Sequence, residues 1–126
     1  MIKGIENLIY KAKNDKNILA ASIFGSFARG EKHRDIDVCL FLKKKKYSSL
    51  EMSKIRMKYL EESGSRLDIQ IFQQLPVYIR QRILKEGKIL LCKDHDELYD
   101  IAIRTVKEFE DFRPIYKSYL QGVKHG

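Results

Sequence analysis

The sequence predicts an α/β (α+β) fold in which a mixed sheet of three or four strands packs against helices. Three observations carry that expectation. Two short apolar runs, Asn17–Phe24 and Asp35–Leu42, have strand length and stop at turn-forming or charged residues. Arg66–Phe72 alternates apolar and polar residues, as a half-buried strand does. Segments with helical spacing lie between and around these runs. At 126 residues, without a repeat, a Pro/Gly-rich linker or a low-complexity block, residues 1–126 are expected to form one domain.

The elements follow in order. Residues 2–14 place Ile2, Ile5, Leu8, Ile9 and Ala12 on one helical stripe. Asn17–Phe24 then runs as a buried strand into Gly25-Ser26. Asp35–Leu42 is apolar on both faces beyond its first residues, which suits a central strand. Lys43–Lys46 is a solvated loop, after which Ser48 or Ser49 caps a helix carrying Leu50, Ile55, Met57 and Leu60 to near Ser63-Gly64. Arg66–Phe72 is the third strand. Pro76 suits the first turn of a helix through Glu86, with Gly87 as its stop. Lys88–Cys92 is a short fourth strand. Asp94 with Glu97 resembles a capping box and opens a long helix carrying Leu98, Ile101, Thr105, Phe109, Phe112, Tyr116 and Leu120. Pro114 is expected to kink or divide that helix, because it removes a backbone donor.

Charge narrows the partners. Lys plus Arg number 25 against 17 Asp plus Glu, a net of +8. The excess sits in residues 1–93, while residues 94–126 hold five basic and seven acidic groups. A basic body points to an anionic partner, nucleic acid or polyphosphate, although surface lysine alone produces the same balance. Cys39 and Cys92 lie far apart in apolar runs and make no disulfide framework or zinc spacing, which fits a reducing cytoplasm. No apolar signal core opens the chain, and the longest apolar stretch, around Ile18–Phe24, is too short to span a bilayer.

The chemistry concentrates in Phe24-Gly25-Ser26-Phe27-Ala28-Arg29-Gly30 and the Asp35-Ile36-Asp37 that follows. Side chains alternate along a strand, so Asp35 and Asp37 share a face with Cα atoms roughly 6–7 Å apart. Carboxylates this close repel unless a cation lies between them, and hard divalent ions take such oxygen ligands. Asp68 interrupts the apolar alternation of the third strand. If that strand lies beside the second, Asp68 joins the pair, and three carboxylates around one site have the form of a two-metal phosphoryl-transfer centre. A strand that ends in Gly-Ser lets backbone N–H groups and a hydroxyl approach a phosphate. Turn and carboxylates together make sense around a metal-bound nucleoside triphosphate.

Gly25-Ser26-x-x-x-Gly30, then Asp35-x-Asp37, then a lone Asp68 resembles the nucleotidyltransferase superfamily of DNA polymerase β. More closely it resembles the minimal nucleotidyltransferases, the MntA-like antitoxins of HEPN/MNT modules, often encoded beside a HEPN-domain partner. Gly87-Lys88-Ile89-Leu90-Leu91 and Asp111–Tyr116 resemble the usual C-terminal portion of these proteins. Arg34 stands where many relatives have Ser. The resemblance implies a nucleotidyltransferase fold in which Gly25 and Ser26 hold the β- and γ-phosphates, with Arg29 as a further phosphate contact. It implies that Asp35 and Asp37 bind two Mg²⁺ ions (or Mn²⁺). Asp68 would bind the ion that activates the attacking hydroxyl. The implied reaction transfers AMP from Mg·ATP to a hydroxyl, on a tyrosine of a HEPN-type toxin.

Plainer readings stand beside these. Asp35 and Asp37 also suit a strand cap and a partner for a basic side chain, Ser26 a helix cap, and His33 an exposed loop residue or an acceptor-side base. The aromatic stripe Phe109, Phe112, Tyr116 and Tyr119 suits core packing, with a partner surface or a homo-oligomer contact as the alternative. Two other functions remain open: an antitoxin that neutralises its partner by contact without catalysis, and, less favoured, a basic nucleic-acid binder.

Overall fold

The apolar runs expected as strands form one four-stranded sheet. The structure, a computed structural model, describes residues 2–30, 35–63 and 66–125. Its elements are α1 (Ile2–Lys13), β1 (Ile18–Phe24), α2 (Gly25–Ala28), β2 (Ile36–Leu42), α3 (Ser49–Ser63), β3 (Leu67–Ile71), a 3-10 turn (Phe72–Gln74), α4 (Val77–Glu86), β4 (Lys88–Cys92) and α5 (His95–His125). Sheet order is β3-β2-β1-β4. β1 pairs antiparallel with β2 and with β4, while β2 pairs parallel with β3. The parallel pair follows from connectivity, since the 15-residue α3 carries the chain back across the sheet between the two strands.

Strand alternation sorts the core into two layers. Ile36, Val38, Leu40 and Leu42 of β2, with Leu67, Ile69 and Ile71 of β3, pack against Leu8 and Ala12 of α1 and Tyr59 of α3. On the other face Cys39 and Phe41 meet Leu19, Phe72, Ile83 of α4 and Ile101 of α5. Phe41 and Phe72 stack there with ring centroids 4.4 Å apart. Asp37, two residues before Cys39, points to this second face. The sheet is covered along its middle on both sides, leaving its strand ends as the places where polar side chains converge.

Several expectations change in detail. β2 begins at Ile36, so Asp35 precedes the strand and is exposed. Ser48, not Ser49, caps α3: Glu51 N–H donates to its Oγ (3.0 Å), and its own N–H donates to Glu51 Oε1 (3.3 Å). The packed stripe of α3 is Met52, Ile55, Tyr59 and Leu60, whereas Leu50 and Met57 face outward. Asp94 does open α5, accepting from Glu97 N–H at 3.1 Å. Of the two outcomes expected of Pro114, the bend is seen, near residues 116–119, and α5 continues undivided to His125. Both cysteines are free. Among the described residues, no helix is long and apolar enough to cross a membrane.

Candidate active site

β1 ends at Phe24, which lies opposite Asp37 on β2, and Asp37 lies opposite Asp68 on β3. Three strands thus deliver the Gly25 turn, Asp37 and Asp68 to one end of the sheet. Gly25 has φ +74°, in the left-handed region that glycine enters freely. Asp37 Oδ2 occupies the space where a Cβ on residue 25 would stand, and Asp37 Cγ lies 3.3 Å from that point. Glycine is therefore required twice here, for the turn and to admit the carboxylate.

The carboxyl groups act on one another. Partial burial first, then the charge of Asp68, a hydrogen bond with Asp68 and the charge of Asp35 push Asp37 above the usual carboxylate range; Arg29 opposes this. Gln70, one pleat along β3, donates from Nε2 to Asp68 Oδ1 at 3.4 Å. Arg29, just past α2, lies 3.5 Å through Nη1 from Glu86 Oε2 at the end of α4.

The expected residues thus assemble in large part. Asp37 and Asp68 form the close pair, Asp35 acts on Asp37 through space, and Gly25 and Arg29 border them. Ser26 lies in α2 directly after Gly25, and its side chain lies outside the described features, as does His33 in the span 31–34. Gln70 and Glu86 escaped the sequence reading. Gln70 was findable, because a polar residue two positions after Asp68 on a strand shares its face; nothing local pairs Glu86 with a residue 57 positions away. Cys39, next along the Asp37 face, is fully buried, which pushes its thiol far up and leaves it a core residue.

An all-oxygen set of mutually repelling carboxylates, beside a glycine that leaves room for one of them, fits a hard divalent cation. Among the described residues, however, no three acidic, histidine or cysteine side chains already stand at ligating spacing.

The family model described as "Polymerase beta, Nucleotidyltransferase" matches residues 6–96, a span that holds every residue of this site. The chain belongs to that nucleotidyltransferase family. A relative from Methanocaldococcus jannaschii, named "Putative protein adenylyltransferase MJ1547", is 32% identical over 107 residues, 81% of this chain and 72% of its own length. Among solved structures, one chain of a toxin–antitoxin complex with AMP-PNP superposes with a TM-score of 0.72 at 20% identity, covering 94% of this chain and 98% of that one. A chain from the complex of a tri-AMPylated Shewanella oneidensis HEPN toxin with its MNT antitoxin gives 0.69 at 18% identity, covering 98% and 99%. These structural likenesses establish the nucleotidyltransferase fold over nearly the whole chain, including α5, which extends past the family-model match.

Proposed function

We propose that residues 1–126 act as a minimal protein adenylyltransferase domain that moves AMP from ATP to a hydroxyl, on a tyrosine of a HEPN-type toxin in the cytoplasm. The observation that carries this reading is the in-register Asp37–Asp68 pair set against the Gly25 turn. The name of the 32% identical relative and the AMPylated HEPN toxin in one structural neighbour support the substrate and partner.

Each residue has a role within this reading. Asp35, Asp37 and Asp68 would hold Mg²⁺, which supplies charge neutralisation at the phosphates when bound. The Gly25-Ser26 turn presents backbone N–H groups to the triphosphate, and Arg29 adds positive charge on the same side. Asp68 would help take the proton of the attacking hydroxyl, and the bond from Gln70 Nε2 to its Oδ1 supports its orientation. The hydroxyl oxygen bonds to the α-phosphorus, the bond to the β-phosphate oxygen breaks, and pyrophosphate leaves. Most of the acceleration then comes from positioning and charge.

The decisive experiment incubates the chain with its HEPN-type partner, ATP and Mg²⁺ and reads intact mass. Adenylate increments on the partner, lost with Asp37→Asn and Asp68→Asn and on chelation, are the expected result; an unmodified partner refutes the reading. Neutralisation by contact alone is favoured by one observation, the exposure of Ile115 (67%) and Leu120 on the distal half of α5. It predicts that the Asp37→Asn chain still silences the toxin at stoichiometric dose.

A further inference from the structure

The transfer reading uses one end of the sheet and leaves the other unexplained. There, where β1 begins and β2 ends, the Lys43–Lys46 run leaves the sheet with Lys44, Lys45 and Lys46 exposed. A cavity of about 350 Å³ between this loop and α5 has Lys43, Lys44, Lys45, Arg80 and Arg104 in its wall, against one acidic residue, Glu108. A second, of about 840 Å³, opens between α1 and α3 and carries Lys16, Lys58, Asn7, Asn14 and the ring of Tyr10, which is 72% exposed. The two adjoin: Lys43, a wall residue of the first, donates its N–H to the carbonyl of Asn17, a wall residue of the second, at 2.9 Å.

The nearby carboxylates are engaged inside the fold. Asp15 accepts from Tyr59 OH (2.8 Å) and Asn17 N–H (2.9 Å). Glu97 accepts from the backbone N–H of Lys44 (3.0 Å), and Glu108 holds Arg80 by two bonds. Among the described residues, the side chains of Lys43–Lys46 and Arg104 pair with no carboxylate. Burial and then the charge of Lys43 pull the Lys93 ammonium below the usual lysine range, with Asp15 opposing.

We propose that this band binds single-stranded RNA, with Lys43–Lys45 and Arg104 on successive phosphates and Tyr10, flanked by Asn7 and Asn14, receiving a base. A row of cations crossing two adjoining cavities matches a repeating anion, and a mononucleotide spans only one of them. An exposed ring and amide side chains serve base stacking and bonds to base edges or a ribose 2′-hydroxyl, and an acidic peptide has no use for them.

Fluorescence anisotropy with a labelled single-stranded RNA of about 12 nucleotides, within the usual range of single-strand sites, tests the proposal. Saturable binding is expected, with log K falling against log salt at a slope of about −2 to −3 for three or four phosphate contacts. Replacing Lys43, Lys44 and Lys45 together by Glu is expected to weaken binding about tenfold or more and to flatten that slope by about 2. Tyr10→Ala is expected to weaken it about fivefold or more. Arg104→Glu, at an exposed position, serves if the triple variant fails to fold. Asp37→Asn is expected to bind RNA as tightly as the parent, so loss of transfer and loss of RNA binding are separate results. Absence of saturable binding at low salt, affinity untouched by all three changes, equal affinity for DNA of the same sequence, or displacement by an equal charge of poly-glutamate would each overturn the proposal.

Discussion

Gly25→Ala isolates the contact on which the active-site reading depends. Gly25 and Gly30 both have φ +74°, so alanine at either position pays the same left-handed backbone strain, about 1–2 kcal/mol. At Gly30 the new Cβ meets nothing within 4 Å, whereas at Gly25 it lands on Asp37 Oδ2. Forcing that carboxylate off its rotamer adds about 0.5–1.5 kcal/mol, so Gly25→Ala is expected to cost about 1.5–3.5 kcal/mol in all. Urea denaturation resolves the difference between the two variants. A double-mutant cycle sharpens it: Asp37→Ala removes Oδ2 and Cγ and leaves only Cβ, 3.6 Å from the new methyl and in ordinary contact. Gly25→Ala should therefore cost about 0.5–1.5 kcal/mol less in the Asp37→Ala background. Transfer should fall about 100-fold or more in Gly25→Ala, as expected when a catalytic group moves by an ångström. Equal costs at the two glycines with no coupling to Asp37 would refute the reasoning, because the carboxylate would then not fill that space.

Other expectations follow from the same contacts. Asp37 is raised by burial, Asp68 and Asp35, so its contribution to apo stability is present in acid and is lost as pH rises through the raised value. Thermal melts should show Asp37→Asn flattening that loss. Mg²⁺ at ten times its Kd should add about 1.4 kcal/mol at neutral pH and progressively less on acidification. Arg80 donates to both oxygens of Glu108, to the Leu75 carbonyl (3.0 Å), and lies over Phe72. Arg80→Ala should cost about 1–2 kcal/mol by urea denaturation, mostly from the Leu75 bond and the lost packing. Glu108→Gln should cost only a few tenths, since Glu108 is 55% exposed, and that small term should vanish as pH falls through the lowered Glu108 value. A thiol reagent should label Cys92 in the native protein and Cys39 only on unfolding, because Cys39 is fully buried and its thiolate is disfavoured.

What the sequence disclosed follows the range of each interaction. Strand positions were legible because Asn17–Phe24 and Arg66–Phe72 announce themselves by burial pattern and by what ends them. The meeting of Asp37 and Asp68 was legible one step further, since a helix between two strands implies a parallel pair and the parallel register brings the two carboxylates level. The fit of Asp37 into the missing side chain of Gly25 is a contact between strands at atomic scale, and no local pattern encodes it. The same holds for Glu86 beside Arg29. Leu50 and Met57 misled for another reason: hydrophobicity marks candidates for burial, and the register of α3 against the sheet decides which of its faces is used. Pro114 bends α5 without dividing it, because its cost depends on surroundings. It frees only the Glu110 carbonyl, Glu110 and Pro114 are both exposed so that water can satisfy it, and the Glu110–Arg113 pair (2.7 Å) braces the turn.

The sheet order explains why so short a chain can hold this chemistry. Here the carboxylate pair is formed across a parallel strand pair, and the turn that approaches one carboxylate comes from an antiparallel neighbour on the opposite side. β2 has both, β3 parallel and β1 antiparallel, so Asp37 alone touches the other two parts of the site. That placement also raises Asp37, through partial burial first and then the converging charges of Asp68 and Asp35, while Arg29, which opposes them, is shared with Glu86. Strengthening the hold of Glu86 on Arg29 should then raise Asp37 further, and releasing it by Glu86→Gln should lower it. The pH midpoint of transfer is expected to move downward in Glu86→Gln, and an unmoved midpoint would show that Arg29 does not set the charge of the pair.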